Sequence, residues 1–351
     1  MKSTAISRTS TARPRSPATN CSFDRTTPYI ASLSRGRISV VRCGLRRPAF
    51  LPGHSLLASE SDEWTVRRIL EWTTGYLRQH GSESPRLEAE LLLSNACGWP
   101  RIQLYTHYDD QLQDDVRTKM RDLVRRRAAS EPVAYLIGYR EFFSLKFAVG
   151  PAVFIPRPET ETLVLEALAV LKDAGEHPAE RTFLDLCTGS GCVAVAIAVN
   201  APGARGAAVE QSEETLAFAR RNFETHGVAQ RVELLQGDLD APLAADRRFH
   251  VLVSNPPYVT TAEMQSLPAD VRRFEPSAAL EGGADGLDVV RRIARLASRR
   301  LVPGGWVMME LSPPQAEAGV EILTAAGLES ATAVKDLSGA PRVIKARLPV
   351  G

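Results

Sequence analysis

Asn255-Pro256-Pro257-Tyr258 follows directly on the apolar residues 249–253 and Ser254, so a polar amide and two prolines stand where a buried strand would end. Neither proline can donate a ladder hydrogen bond and each fixes its own φ. The chain therefore leaves the sheet stiffly, with two acceptors held in place: the Asn255 side chain and the Pro256 carbonyl. Such a pair suits a planar NH2 group. Each acceptor takes one N–H, which favours pyramidalisation at nitrogen and turns its lone pair toward an electrophile. An amide or aryl-amine nitrogen is otherwise a poor nucleophile, so the expected chemistry is methyl transfer to such a nitrogen. Pro257 belongs to the same substrate-facing segment, and Tyr258 is expected as an aromatic wall beside a cationic donor. A Pro-rich turn accounts for most Pro-Pro pairs, but not for this whole tetrapeptide behind a buried strand.

The donor has to be held next to that site. A first strand over residues 182–186 runs into Cys187-Thr188-Gly189-Ser190-Gly191-Cys192 and a helix of small residues. Gly189 and Gly191 let the backbone turn sharply and let a ligand approach without a Cβ in the way. The same stretch satisfies the dinucleotide pattern G-x-G-x-x-A, so alone it is a weak signal. A second strand around residues 207–209 ends at Glu210, an acid placed to hold ribose hydroxyls in a nicotinamide enzyme or a methyltransferase alike. A third, residues 232–236, ends at Gly237-Asp238-Leu239, with Asp238 placed to accept from an adenine amino group and Leu239 to pack on the ring. An acid after the third strand and Asn-Pro-Pro-Tyr after the fourth leave no position for hydride chemistry. The expected cofactor is S-adenosyl-L-methionine, bound by Asp185, Cys187, Thr188, Gly189, Ser190, Gly191, Glu210, Asp238, Leu239 and Asn255.

Around this centre the pattern is that of an open α/β sheet with its ligand-facing positions at strand carboxyl ends. Ser212 caps a helix that turns Leu216, Ala219 and Phe223 inward and stops before Gly227. Residues 305–310 read as a fifth strand, and the segments near 330–334 and 342–347 as a final hairpin. In front, Val66, Ile69, Leu70, Thr73 and Leu77 recur at helical spacing up to Gly81. Ser84-Pro85 opens a second helix with Leu87 and Leu91 on one face, closed by Gly98. A third helix is expected over residues 114–129, its Arg125-Arg126-Arg127 run a solvated face. Alternation around Tyr135, Ile137, Phe142, Leu145 and Phe147 predicts a β-hairpin. The rigid corner after it, Phe154-Ile155-Pro156-Arg157-Pro158, continues as a helix from Glu159, and Phe154 either walls a pocket or packs the hairpin.

The 351 residues, 44% hydrophobic and 24% charged, suit one large domain and a small one, with no run of transmembrane length. The net charge of +2 hides a basic leader, with arginines from Arg8 to Arg47 against the single acid Asp24. Its composition is that of a transit peptide, a disordered extension or a stretch upstream of the true start. The catalytic part has no global pull toward nucleic acid. The segment after the leader begins like a bacterial protein, so the expected location is cytoplasmic, or organellar if residues 1–58 are a transit peptide. Cys21, Cys43, Cys97, Cys187 and Cys192 form no C-x-x-C pair, so free thiols and no metal site are expected.

Asn255-Pro256-Pro257-Tyr258, Arg157-Pro158-Glu159-Thr160-Glu161 and the stretch from Phe274-Glu275-Pro276 through Gly282-Gly283 to Asp285-Gly286-Leu287 resemble the release factor glutamine methyltransferases. Ser84-Pro85-Arg86-Leu87-Glu88-Ala89-Glu90, Glu131-Pro132-Val133-Ala134-Tyr135 and Asp336-Leu337-Ser338-Gly339 before Arg342-Val343 match as well, and the resemblance covers residues 62–348. It implies a seven-stranded class I, Rossmann-like methyltransferase sheet with helices on both faces over residues 158–351. An N-terminal helical substrate-docking domain (59–131), a hairpin linker (132–157) and a disordered leader (1–58) precede it. The implied reaction is N5-methylation of the glutamine in the Gly-Gly-Gln motif of class I peptide chain release factors; separately, a monomer is expected. Related enzymes modify a ribosomal protein glutamine, and the loop from Cys187 to Cys192 resembles theirs. The corner, the segment from Ser84 to Glu90 and the C-terminal hairpin favour release factors. An exocyclic adenine amine is the other planar NH2 this tetrapeptide serves, but no separate basic target-recognition domain is present. A non-enzymatic cofactor-binding scaffold is the remaining alternative, disfavoured by a complete site. Cys187 in place of a glycine, Glu210 in place of the commoner aspartate and Ser312-Pro313-Pro314 in place of a glycine-containing turn are departures that bear on cofactor affinity.

Overall fold

The computed structural model describes residues 63–172 and 181–350. The expected leader, with Cys21 and Cys43, lies outside them. Helix α1 (Val66–Gln79) starts at Thr65, whose hydroxyl accepts from Arg68 N, and buries Val66, Ile69, Leu70, Thr73 and Leu77 as the spacing predicts. Helix α2 (Pro85–Cys97) packs on it through Ala89, Leu92, Leu93 and Ala96, not through Leu87 and Leu91. Two alanines in that stripe let α2 lie close to its neighbours, and Leu87 is left exposed. The single turn α3 (Gln103–Thr106) leads to α4 (Asp114–Ala128). The arginine run on α4 is not a solvated face throughout. Arg127 is mostly buried and forks onto Glu88 of α2 at 2.9 and 3.1 Å, while Arg126 pairs with Glu131 and Arg125 with Asp122.

The expected hairpin is shorter than its alternation suggested. Pro132 precedes a helical turn, α5 (Val133–Ile137), that Gly138 ends at a φ of 80°; Tyr135 and Ile137 belong to this turn. Only β1 (Tyr139–Phe142) and β2 (Leu145–Ala148) pair, antiparallel. Tyr135 is buried, and its hydroxyl donates to Val153 O at 2.6 Å, fixing the turn against the corner that follows.

After α6 (Glu161–Lys172) come β3 (Thr182–Leu186), α7 (Cys192–Asn200), β4 (Arg205–Glu210), α8 (Glu213–Thr225), β5 (Val232–Gln236), β6 (Phe249–Ser254) and α9 (Ala269–Phe274). Then follow α10 (Asp288–Arg300), β7 (Leu301–Glu310), α11 (Ala316–Ala325), β8 (Glu329–Lys335) and β9 (Pro341–Arg347). The seven strands order β5-β4-β3-β6-β7-β9-β8, with only β9 reversed. Strand β7 begins four residues before the expected Gly305, with a register irregularity against β6 between Phe249 and Val251. Successive residues serve opposite layers: Phe183, Val251, Val253 and Met308 join the core under α6 and α7, and Leu184, Leu252, Val307 and Met309 that under α10 and α11. Burial on both faces is why the strands read as continuous apolar runs. The sheet is the expected α/β architecture. From β3 the order proceeds to β4 and β5 on one side and returns to β6 on the other, so a crevice opens at the carboxyl ends of β3 and β6. No helix among the described residues is long and apolar enough to cross a membrane.

Candidate active site

A cleft of about 580 Å3 lies at those strand ends. It is lined by Phe154, Asp185, Cys187, Thr188, Gly189, Ser190, Glu210, Asp238, Leu239, Asn255, Pro256, Pro257 and Tyr258. Of the residues expected at the site, Gly191 alone does not line it. Gly191 is the residue before α7, with φ 79°, and a Cβ there would stand 2.6 Å from Cε1 of Phe223. Its glycine is required by packing behind the loop, whereas Gly189, at φ 58°, faces open space.

The loop after β3 is built from below. Asp185 Oδ2 accepts from Thr188 Oγ1 at 2.5 Å and from Ala194 N at 3.2 Å, joining strand, loop and α7. Burial pushes the Asp185 carboxyl up to about 7, against the opposing effect of those two donors. Cys187 has a φ of 59°, a left-handed conformation that costs a side-chain-bearing residue about 1–2 kcal/mol. That is the physical reason a glycine suits this position. Burial raises the Cys187 thiol to about 12, so it stands beside the cleft as a neutral group. Asn222 of α8, unseen as a site residue in the sequence, is buried; its Nδ2 donates to Ser190 O at 2.8 Å and its Oδ1 accepts from Ala148 N at 2.8 Å. The hairpin and the loop are thereby joined through one side chain.

Glu210 Oε2 accepts from Gly189 N at 3.0 Å and Oε1 from Ser212 N at 3.0 Å, which fixes the carboxylate at the rim with further lone pairs toward the cleft. Leu239, at a φ of 51°, is buried in the lining. Asp238 Oδ2 pairs with Arg292 at 2.6 Å, a cleft residue on α10 that no motif marked. The cleft's size lies in the range of small-molecule and cofactor sites. The Ser190 hydroxyl in its wall is buried without a partner at hydrogen-bonding geometry, the Cys192 thiol being its neighbour. The buried Ser190 hydroxyl, an acid fixed at the end of β4 and a second acid after β5 fit a nucleoside with a polar tail, as S-adenosylmethionine is. Glu210→Ala is expected to weaken S-adenosylmethionine binding on the order of tenfold, measured by calorimetry, since hydrogen bonds to a charged group are lost.

On the acceptor side, Asn255 Nδ2 donates to Thr160 Oγ1 at 3.3 Å, and no described residue donates to Asn255 Oδ1. Tyr258 lines the cleft, and its hydroxyl donates to Glu310 Oε1 at 3.1 Å; burial raises its pKa. Glu310, at the carboxyl end of β7, is 1% exposed, and burial brings its carboxyl up to about 7. Gln315 donates from Nε2 to Tyr258 O at 2.8 Å and to Asp285 O at 3.0 Å, tying the tetrapeptide to the loop that crosses it. Phe154 lines the cleft with the Arg157 guanidinium 4.8 Å from its ring centre, while Val153 and Ile155 on either side pack inward against the corner. Arg157 is held by the buried Glu275, which also accepts from Ile155 N at 3.1 Å. Thr160, Glu310, Gln315 and Glu275 escaped the reading of the sequence as site residues. For Glu310 a signal existed: an acid at the carboxyl end of a buried strand.

Residues 68–138 match the family model of the PrmC N-terminal domain and residues 161–272 that of the methyltransferase small domain. A release factor glutamine methyltransferase of Geobacter sulfurreducens is 44% identical over 292 residues, covering 83% of this chain and 100% of the relative. One of Rhodopirellula baltica is 44% identical over 289 residues, covering 82% of this chain and 97% of the relative. A solved release factor-specific protein-(glutamine-N5) methyltransferase from Alicyclobacillus acidocaldarius is 31% identical and covers 58% of this chain and 99% of its own, at a TM-score of 0.35.

Proposed function

The chain belongs to the release factor glutamine methyltransferase family, S-adenosylmethionine-dependent protein-glutamine N5-methyltransferases, and we propose how its cleft carries out that reaction on the Gly-Gly-Gln glutamine of peptide chain release factors. The observation that carries the reading is Asn255. Its Nδ2 is tied to Thr160 and its Oδ1 is without a described donor, at the strand end that borders the cofactor residues. Asn255 Oδ1 and the Pro256 carbonyl take the two hydrogens of the glutamine NH2, which leaves the nitrogen lone pair as the face toward the donor. When bound, S-adenosylmethionine supplies an electrophilic sulfonium methyl, and the transfer leaves S-adenosylhomocysteine. The chain needs no strong base, because an alkylated amide nitrogen sheds its proton to water. Phe154, braced by Arg157, and the Tyr258 ring wall the entrance for the glutamine. The neutral thiol of Cys187 adds no competing nucleophile. Glu210 holds the ribose hydroxyls and Asp238 the adenine amino group. The helical segment, which exposes Trp72, Ile102 and Tyr105, docks the release factor.

Intact-mass measurement of a release factor incubated with this protein and S-adenosylmethionine tests the reading. One methyl is expected on the native factor and none on a copy whose Gly-Gly-Gln glutamine is replaced. Methyl appearing instead on a ribosomal protein or on DNA would overturn the substrate.

A further inference from the structure

Beneath the tetrapeptide lies a buried chain of polar groups that the reaction as described does not use. Asn255 Nδ2 donates to Thr160 Oγ1, Glu310 lies against the same hydroxyl, and Tyr258 donates to Glu310 Oε1. The second carboxylate oxygen, Oε2, is buried with no donor at hydrogen-bonding geometry, and the Thr160 hydroxyl has one hydrogen to give. Thr160 itself is 2% exposed. A hydroxyl that accepts from an amide must send its own hydrogen elsewhere. An asparagine amide presents either an acceptor or two donors to a cleft, and only the acceptor can hold a substrate N–H.

We infer that Thr160 and Glu310 are positioning residues for methyl transfer: the Glu310 carboxylate takes the Thr160 hydrogen, Thr160 Oγ1 stays an acceptor for Asn255 Nδ2, and the Asn255 amide is locked with Oδ1 toward the substrate nitrogen. The inference rests on the role given to Asn255 above. It carries a direction with pH. An acceptor-only carboxylate keeps the chain in this polarity. Once protonated, Glu310 donates to Thr160 Oγ1, the Thr160 hydrogen turns toward Asn255, and the amide reverses to present its NH2 to the substrate. Burial places the Glu310 transition at about 7, so turnover falls as pH drops through that region. The groups facing Glu310 are the Thr160 and Tyr258 hydroxyls, Arg342 of β9, which favours the carboxylate, and Glu159 and the Cys192 thiol, which do not.

The test compares kcat, S-adenosylmethionine affinity, melting temperature and pH profile in Thr160→Val, Thr160→Ser, Glu310→Gln and Asn255→Ala. Thr160→Val is expected to lower kcat on the order of tenfold with cofactor affinity unchanged, and Thr160→Ser to restore most of it. Glu310→Gln, which cannot titrate, is expected to lose the acidic limb whichever end of its amide meets Thr160. It decides the matter should Thr160→Val not fold. Wild-type kcat in Thr160→Val, a serine variant as slow as the valine one, or a wild-type acidic limb in Glu310→Gln would overturn the inference. If Asn255→Ala loses turnover while Thr160→Val keeps it, the inference alone falls; if Asn255→Ala keeps turnover, the role of Asn255 falls with it.

Discussion

Asn255→Ala is expected to lower single-turnover methyl transfer by a factor on the order of a hundred or more while S-adenosylmethionine affinity changes by no more than a few-fold. The alanine removes one of two acceptors and leaves the Pro256 carbonyl to hold a single hydrogen of the NH2 group. The nitrogen then turns about that bond, and its lone pair is no longer fixed on the donor. A factor of a hundred corresponds to about 2.7 kcal/mol, the range found when one preorganised polar group is taken from a transition state. The cofactor keeps Glu210, Asp238 and the loop after β3, which Asn255 does not support. Single-turnover transfer of labelled methyl at saturating cofactor separates the chemical step from binding and release. Transfer within a few-fold of wild type would show that Asn255 is not the acceptor that holds the amide.

The framework that sets this residue in place was legible because strands buried on both faces have to be apolar throughout. The runs around Phe183, Val251 and Met308 admitted few other readings, and each ended in a residue able to do chemistry. The α1 stripe was legible for the complementary reason: one buried face and one wet face leave a period. The turn Val133–Ile137 was misread because five apolar or small residues carry neither period clearly, and the decisive marks, Pro132 and Gly138, stand just outside it. Which residues meet across the chain left no local mark, even where a partner such as Glu310 was itself marked by its place at a strand end. Thr160 meets Asn255 across 95 residues and Glu310 meets Tyr258 across 52. Spacing within an element says nothing of either. Gly191 shows the same limit from the other side. Its backbone need was visible in the loop, but the neighbour that forbids a side chain, Phe223, comes from another helix.

Gly286 tests whether the loop crossing the tetrapeptide controls the reaction as well as the fold. Gly286 has a φ of 74°, and a Cβ there would stand 2.2 Å from both the Tyr258 carbonyl oxygen and Gln315 Nε2. Neither neighbour can give way freely, since Gln315 Nε2 is itself bonded to Tyr258 O. Gly327 provides the control, with a φ of 80° and open space where its Cβ would lie. Gly327→Ala is expected to cost about 1–2 kcal/mol, the left-handed backbone alone, with turnover unchanged. Gly286→Ala incurs the same backbone cost and about 1–3 kcal/mol more for the overlap. The overlap falls on Tyr258, two residues from the Pro256 carbonyl, and Pro257 between them has a fixed φ that leaves little freedom to absorb the shift. Turnover in Gly286→Ala is therefore expected to fall on the order of a hundredfold, with cofactor affinity retained. Urea melts and single-turnover rates of the two variants decide the point. Equal stabilities and wild-type turnover in both would mean that the loop moves aside freely, and that the position of the Pro256 carbonyl is set by β6 and its prolines alone.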